Sequence, residues 1–184
     1  RFADWYNPEE EDNDGHHTAL YDMQGKELTQ KGRYVDMLAF GQQDITAVCR
    51  NDEQAGYVNR AGEEISSFEY RETRPFASGR GAVCKEGTYE YGRWGFVNEQ
   101  GEEIIKPQYI DVGDFHEGLA WVCLDNHSRK GFGWRGGKFG FINTQGEMVI
   151  PAVYDDVSSF YEGRALVWKN EHAIFINHNG DVIG

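Results

Sequence analysis

The chain has 184 residues, a formal charge of −13 from 31 acidic and 18 basic side chains, and 14% aromatic residues. That length supports one domain with a real core, and the aromatic content is above what a disordered chain carries. The acidic balance argues against a nucleic-acid partner, because phosphates are held by Lys and Arg; the absence of any apolar run of about eighteen residues argues against a membrane-spanning helix.

The chain opens on Arg1 and not on methionine, as expected of a processed or trimmed product whose targeting signal would be out of view. Residues 1–18 read as an acidic N-terminal segment. In "EEEDNDGHH" (9–17), Glu10, Asp12, Asp14 and Gly15 resemble the start of an EF-hand loop, but Tyr21 stands where that loop needs a bidentate acid. A solvated acidic loop is the preferred reading, and no metal is expected.

From residue 19 the chain repeats. "FVNEQGEEII" (96–105) and "FINTQGEMVI" (141–150) are near copies, and the same frame recurs as "YVNRAGEEI" (57–65), "FINHNGDVI" (175–183) and, more loosely, "YDMQGKEL" (21–28). The anchoring glycines are Gly25, Gly62, Gly101, Gly146 and Gly180, so residues 19–184 are expected to form one repeat domain. Each unit reads as three short strands. The first is aromatic and aliphatic ("GFVN", "GFIN"); Asn or Asp followed three residues later by Gly then closes a hairpin onto the second ("EEII", "EMVI"). Pro107 and Pro151 are expected to stop that second strand, since proline has no N–H to donate.

A loop follows that carries a tyrosine (Tyr34, Tyr70, Tyr109, Tyr154), an acid two residues on (Asp36, Glu72, Asp111, Asp156) and a phenylalanine (Phe40, Phe76, Phe115, Phe160). Residues that recur at one place in every unit are most simply the packing between neighbours. The third strands are "GAVCK" (81–85), "LAWVCL" (119–124) and "RALVWK" (164–169). No helical periodicity is sustained, so the fold class is all-β: tandem repeats of three short antiparallel strands in an open β-meander array. A closed, five-unit, propeller-like ring is the alternative. It depends on "RFADWY" (1–6), which loosely matches "RALVWK" and would serve as a third strand of an adjoining unit.

Cys49, Cys84 and Cys123 follow the same frame, with Trp168 at their place in the next unit. They read as small buried hydrophobes; zinc would need the units to curl tightly. An odd count of cysteines favours a reducing compartment such as the cytoplasm over a disulfide framework, with a cleaved signal peptide as the alternative. Carboxylate pairs such as Glu102-Glu103 recur with the turns and read as turn chemistry. No nucleophile–base arrangement is legible, so no enzyme and no cofactor are expected.

The units differ most in the connectors between a third strand and the next first strand: 50–56, 85–93, 124–138 and 169–172. Equivalent points in successive units should emerge along one edge, and repeat proteins commonly vary their binding face. The candidate partner-binding residues are therefore Tyr89, Tyr91, Phe132, Trp134 and Arg135, the alternative being that these rings fold back to cover the sheet end. The stretch "GFGWRGGKFGF" (131–141), which spans the end of the third connector and the start of the next repeat, contains a G-x-G-x-x-G, but that motif runs into a strand where a dinucleotide fold requires a helix.

"RWGFVNEQGEEIIKPQYIDVGDFHEGLAWV" (93–122) and "FGFINTQGEMVIPAVYDDVSSFYEGRALV" (139–167) resemble the bacterial WG-repeat family. Trp94-Gly95 keeps the eponymous pair; Ala55-Gly56, Phe139-Gly140 and Ala173-Ile174 hold its other places. The resemblance implies an all-β scaffold of binding modules and carries over no catalytic residue. The resulting expectation is a non-enzymatic, protein-binding module whose partner is a basic protein, as in an immunity protein for a bacterial toxin or a scaffold. The alternative is a carbohydrate or cell-envelope binder using exposed aromatics.

Overall fold

The computed structural model describes residues 18–40, 43–85, 92–124 and 137–183. Every regular element among them is a β-strand, and none is a helix that could cross a membrane. The strands form four small antiparallel sheets in series. The first holds β1 (Asp36–Met37), β2 (Ile45–Cys49) and β3 (Ala55–Asn59); the second holds β4 (Glu72–Thr73), β5 (Gly81–Lys85), β6 (Arg93–Val97) and β7 (Glu103–Tyr109). The third holds β8 (Asp111–Val112), β9 (Leu119–Leu124), β10 (Lys138–Asn143) and β11 (Met148–Tyr154); the fourth holds β12 (Asp156–Val157), β13 (Ala165–Lys169) and β14 (His172–Ile176). Ahead of them, bridges between Thr18 and Tyr34 and between Tyr21 and Glu27 outline one more hairpin.

This is the expected tandem β-repeat array, with no closed barrel among the described residues. Residues 1–6, on which the ring alternative depended, lie outside the described residues.

Two details differ from the sequence reading. First, a sheet is not a repeat unit: it joins the third strand of one unit to the first and second strands of the next. Thus Cys84 of β5 pairs with Trp94 of β6, and Trp94 in turn with Tyr109 of β7. The acid after each tyrosine also opens a two-residue strand, so Asp111 pairs with Cys123 as Glu72 pairs with Cys84. Only Ile110 separates β7 from β8, and only Asp155 separates β11 from β12, so one bent segment edges two sheets.

Second, the prolines do not stop the second strand. β7 runs through Pro107 and β11 through Pro151. Each is paired on one side only, and its register slips between the pairs Phe96–Ile105 and Trp94–Tyr109, or Phe141–Ile150 and Phe139–Tyr154. A proline at a bulge of an outer strand removes no ladder hydrogen bond that the strand needs. The glycine of the WG pair faces this bulge. A Cβ on Gly95 would lie 2.2 Å from the carbonyl oxygen of Ile105, and one on Gly140 2.6 Å from that of Ile150.

The hairpin turn is built from one side chain. Asn98 Oδ1 accepts from the N–H groups of Gln100 and Glu102, and Asn98 Nδ2 donates to Glu102 Oε2. Asn59, Asn143 and Asn177 repeat the arrangement, and Asp22 makes the two backbone bonds. Gly101 closes the turn at φ 76°, and a Cβ there would meet the backbone of Ile65 in the preceding unit. The turn is therefore also a packing surface.

Apolar side chains collect between neighbouring sheets. Tyr57, Tyr70, Phe76, Val83 and Val97 fill the space between the first two; Phe96, Tyr109, Phe115, Val122 and Ile142 join the second to the third. Phe141, Tyr154, Phe160 and Ile176 join the third to the fourth. Edge-on ring pairs repeat at one separation, with centroids 4.9 Å apart for Tyr57–Phe76, Phe96–Phe115 and Phe141–Phe160. The recurring tyrosines and phenylalanines are inter-unit packing, as the repetition predicts.

Candidate functional site

The predicted partner-binding residues Tyr89, Tyr91, Phe132, Trp134 and Arg135 lie outside the described residues, as do Glu10, Asp12 and Asp14. The ends from which the connectors spring are described. Cys49 faces Ala55, Lys85 faces Arg93, Leu124 faces Lys138 and Lys169 faces His172. Those pairs sit at the same end of successive sheets, beside the acids Asp36, Glu72, Asp111 and Asp156. The array thus has one edge carrying connectors and periodic carboxylates, and an opposite edge carrying the Asn-x-x-Gly turns.

Three of these acids are held by their own backbone. Asp36, Asp111 and Asp156 each accept through Oδ1 from the N–H of the following residue, at 2.8, 2.9 and 2.9 Å. Glu72 is one methylene longer and makes no hydrogen bond or ion pair with a described residue. Burial raises its carboxyl pKa, with the Arg74 charge opposing and the Asp111 charge adding to the rise.

A cleft of about 640 Å³ opens along this edge between the first and second sheets. Its walls are Leu38, Ala47 and Ala55 from the first sheet and Glu72, Thr73, Arg74, Cys84 and Trp94 from the second. Asp36, Asp52, Arg71 and Asp111 bring charge to its rim, and Gly92 places the end of the 85–93 connector beside it. Sequence reasoning missed this cleft because its walls come from different repeat units. The signal was the row of small residues, Ala47 and Ala55, where a later unit carries Trp121 and Phe139.

Several of the nearby cations are already engaged. Arg74 Nη2 contacts Asp111 Oδ1 at 2.8 Å and its guanidinium lies 4.0 Å from the centroid of Trp94. Lys85 pairs with Glu69 and Glu103, Arg33 and Arg50 pair with Glu64, and Lys138 pairs with Asp155. Glu103 and Glu64 also accept from the phenols of Tyr70 and Tyr34, at 3.0 and 2.8 Å. Both phenols are pushed up to about 12, chiefly by burial.

The recurring acidic pairs are therefore divided in role. The first acid (Glu63, Glu102, Glu147) is tied to the turn asparagine and the second (Glu64, Glu103) latches the tyrosine of the preceding unit. None of the three cysteines is in a disulfide, and Cys84 and Cys123 are buried. Burial raises the thiols of Cys49 and Cys84, and no three metal-ligating side chains converge among the described residues.

Compared with models of protein families, the chain matches the one described as WG containing repeat at residues 56–89, 94–126 and 139–171. Each match starts at a first strand and runs through the second and third, so the family's unit straddles two of the sheets. No match was found among curated proteins.

Proposed function

We propose, for a chain that belongs to the WG containing repeat family, a non-enzymatic role: binding a basic protein along the connector edge. A concrete instance is an inhibitor or scaffold for a cationic protein, such as an immunity protein facing a basic toxin domain. The observation that carries this reading is the inter-sheet cleft, open on the connector edge, with Glu72 in its wall and Asp36, Asp52 and Asp111 outnumbering Arg71 at its rim. A concave site with apolar walls and a few placed charges is the usual form of a specific binding site.

Electrostatics favour a cationic partner. The formal charge is −13, and several of the lysines and arginines near the cleft are neutralised by acids of their own chain. Such a surface steers an oppositely charged protein and repels phosphate backbones. Binding, and not catalysis, is supported by the division of labour among the acids. Most of the recurrent carboxylates hold turns or latches, and the half-buried Glu72 makes no hydrogen bond or ion pair with a described residue.

The test is a binding titration of the full chain against a small basic protein, an acidic one and a set of neutral oligosaccharides, repeated as salt is raised. The basic protein should bind, and its affinity should fall steeply with salt. Oligosaccharide binding unaffected by salt, with no response to the basic protein, would replace this reading with an envelope-binding role.

A further inference from the structure

The guanidinium of Arg74 is held between two neighbouring sheets, and the way it is held defines a site. Arg74 lies over Trp94, donates through Nη2 to Asp111 Oδ1, and donates through Nη1 to the carbonyl oxygen of Val112. An aromatic floor comes from one sheet, and a carboxylate with a carbonyl comes from the edge strand of the next.

The pairing register locates the same place one repeat earlier. Leu38 N donates to Ala47 O as Arg74 N donates to Ala82 O, so Leu38 stands where Arg74 stands. Ala55 faces Cys49 as Trp94 faces Cys84, so Ala55 replaces the aromatic floor. Glu72 and Thr73 pair with Cys84 and Val83 as Asp111 and Val112 pair with Cys123 and Val122, so the acceptors are kept. One repeat later, Gly113 takes the place of Arg74 and an indole closes the gap. Trp121 Nε1 lies 2.1 Å from where a Cβ on Gly113 would be, and the ring packs edge-on to Phe139 at 5.7 Å.

Of three successive gaps, the second is filled by Arg74, the third by Trp121, and the first is the cleft. Leu38 is too short to reach the acceptors, and it is 39% exposed although it is a large apolar residue lining a concavity. Glu72 carries the extra methylene that frees its carboxylate from the backbone bond made by the three aspartates at its place.

We propose that this first gap is a receptor for an arginine side chain of the partner protein, whose guanidinium would be held by Glu72 and the Thr73 carbonyl as Arg74 is held by Asp111 and Val112. The proposal rests on the reading of the chain as a binder of a basic protein and names the group recognised. A planar fork suits a carboxylate and a carbonyl side by side better than an ammonium does. At the rim Asp36 and Asp52 attract either cation and Arg71 opposes either, so none of the three chooses between them.

Calorimetric titration of the full chain with capped tri-arginine, tri-lysine and tri-citrulline peptides at low salt tests this. Two variants are run beside it: Leu38→Arg, which supplies the missing guanidinium from within, and Glu72→Gln, which removes the acceptor charge without changing shape. The tri-arginine peptide should bind most tightly, the citrulline peptide not at all, and both variants should weaken tri-arginine binding by about tenfold or more. Thermal melts confirm folding, and Glu72→Gln carries the test alone if Leu38→Arg unfolds. Tri-arginine binding that is unchanged in Glu72→Gln overturns the arginine receptor while leaving a basic partner in place. Tri-lysine binding as tight as tri-arginine does the same. Failure of both cationic peptides to bind overturns the receptor and the basic partner together.

Discussion

Asn98 shows how much one side chain can fix. Its carbonyl satisfies two backbone N–H groups of a turn and its amide engages Glu102. Asn98→Ala should lower unfolding free energy by about 1–2 kcal/mol, measured by urea denaturation, because two donors lose their acceptor in a turn that packs on the preceding unit. This feature was legible in the sequence, since Asn-x-x-Gly is local chemistry with few solutions. The tyrosine latches were half legible. Repetition announced that Tyr34 and Tyr70 pack, but not that each donates to a glutamate of the following unit. Their phenols, raised from the ordinary 10.0 to about 12, favour the folded state in the neutral form. That stabilisation is complete below pH 10 and is lost as pH rises through 12. Ultraviolet titration should show late-ionising tyrosines, and Tyr70→Phe should remove one of them and flatten the loss of stability in that window.

At the scale of the element, the second strands are the instructive case. Their prolines suggest stops, yet β7 and β11 run on, because whether a proline breaks a strand depends on which neighbour its missing N–H faced. That information is tertiary and no local pattern carries it. The WG glycine has the same origin: Gly95 is required by a bulge on the facing strand. Gly95→Ala should cost about 2–4 kcal/mol, because a methyl group would meet immovable backbone at Ile105 and Pro107. Gly56→Ala should cost less, since its methyl would meet the side chains of Phe68 and Ser66 at 3.0 Å and these can shift. Equal penalties in thermal melts would remove the bulge from the explanation.

For the whole molecule, sequence periodicity gave the repeat and its β character, but not the way sheets cross unit boundaries. That crossing is what makes a cleft. Leu38 and Ala55 belong to the first sheet and Glu72 to the second, so their meeting follows from the stacking of sheets and from no spacing along the chain. Filling the cleft should stabilise the array at the gap between its first and second sheets. Leu38→Arg combined with Ala55→Trp copies the Arg74–Trp94 arrangement, and it should raise the melting temperature while abolishing capture of a basic partner. Retained capture with a raised melting temperature would separate the cleft from the function.

The most direct test of the central claim is a map of where a cationic ligand lands. Amide chemical shifts of the isotope-labelled full chain, followed through a titration with tri-arginine peptide, should move at Leu38, Ala55, Glu72 and Thr73 and stay still at the turns of Asn98 and Asn143. Shifts concentrated at those turns, or spread evenly over the acidic surface, would contradict it.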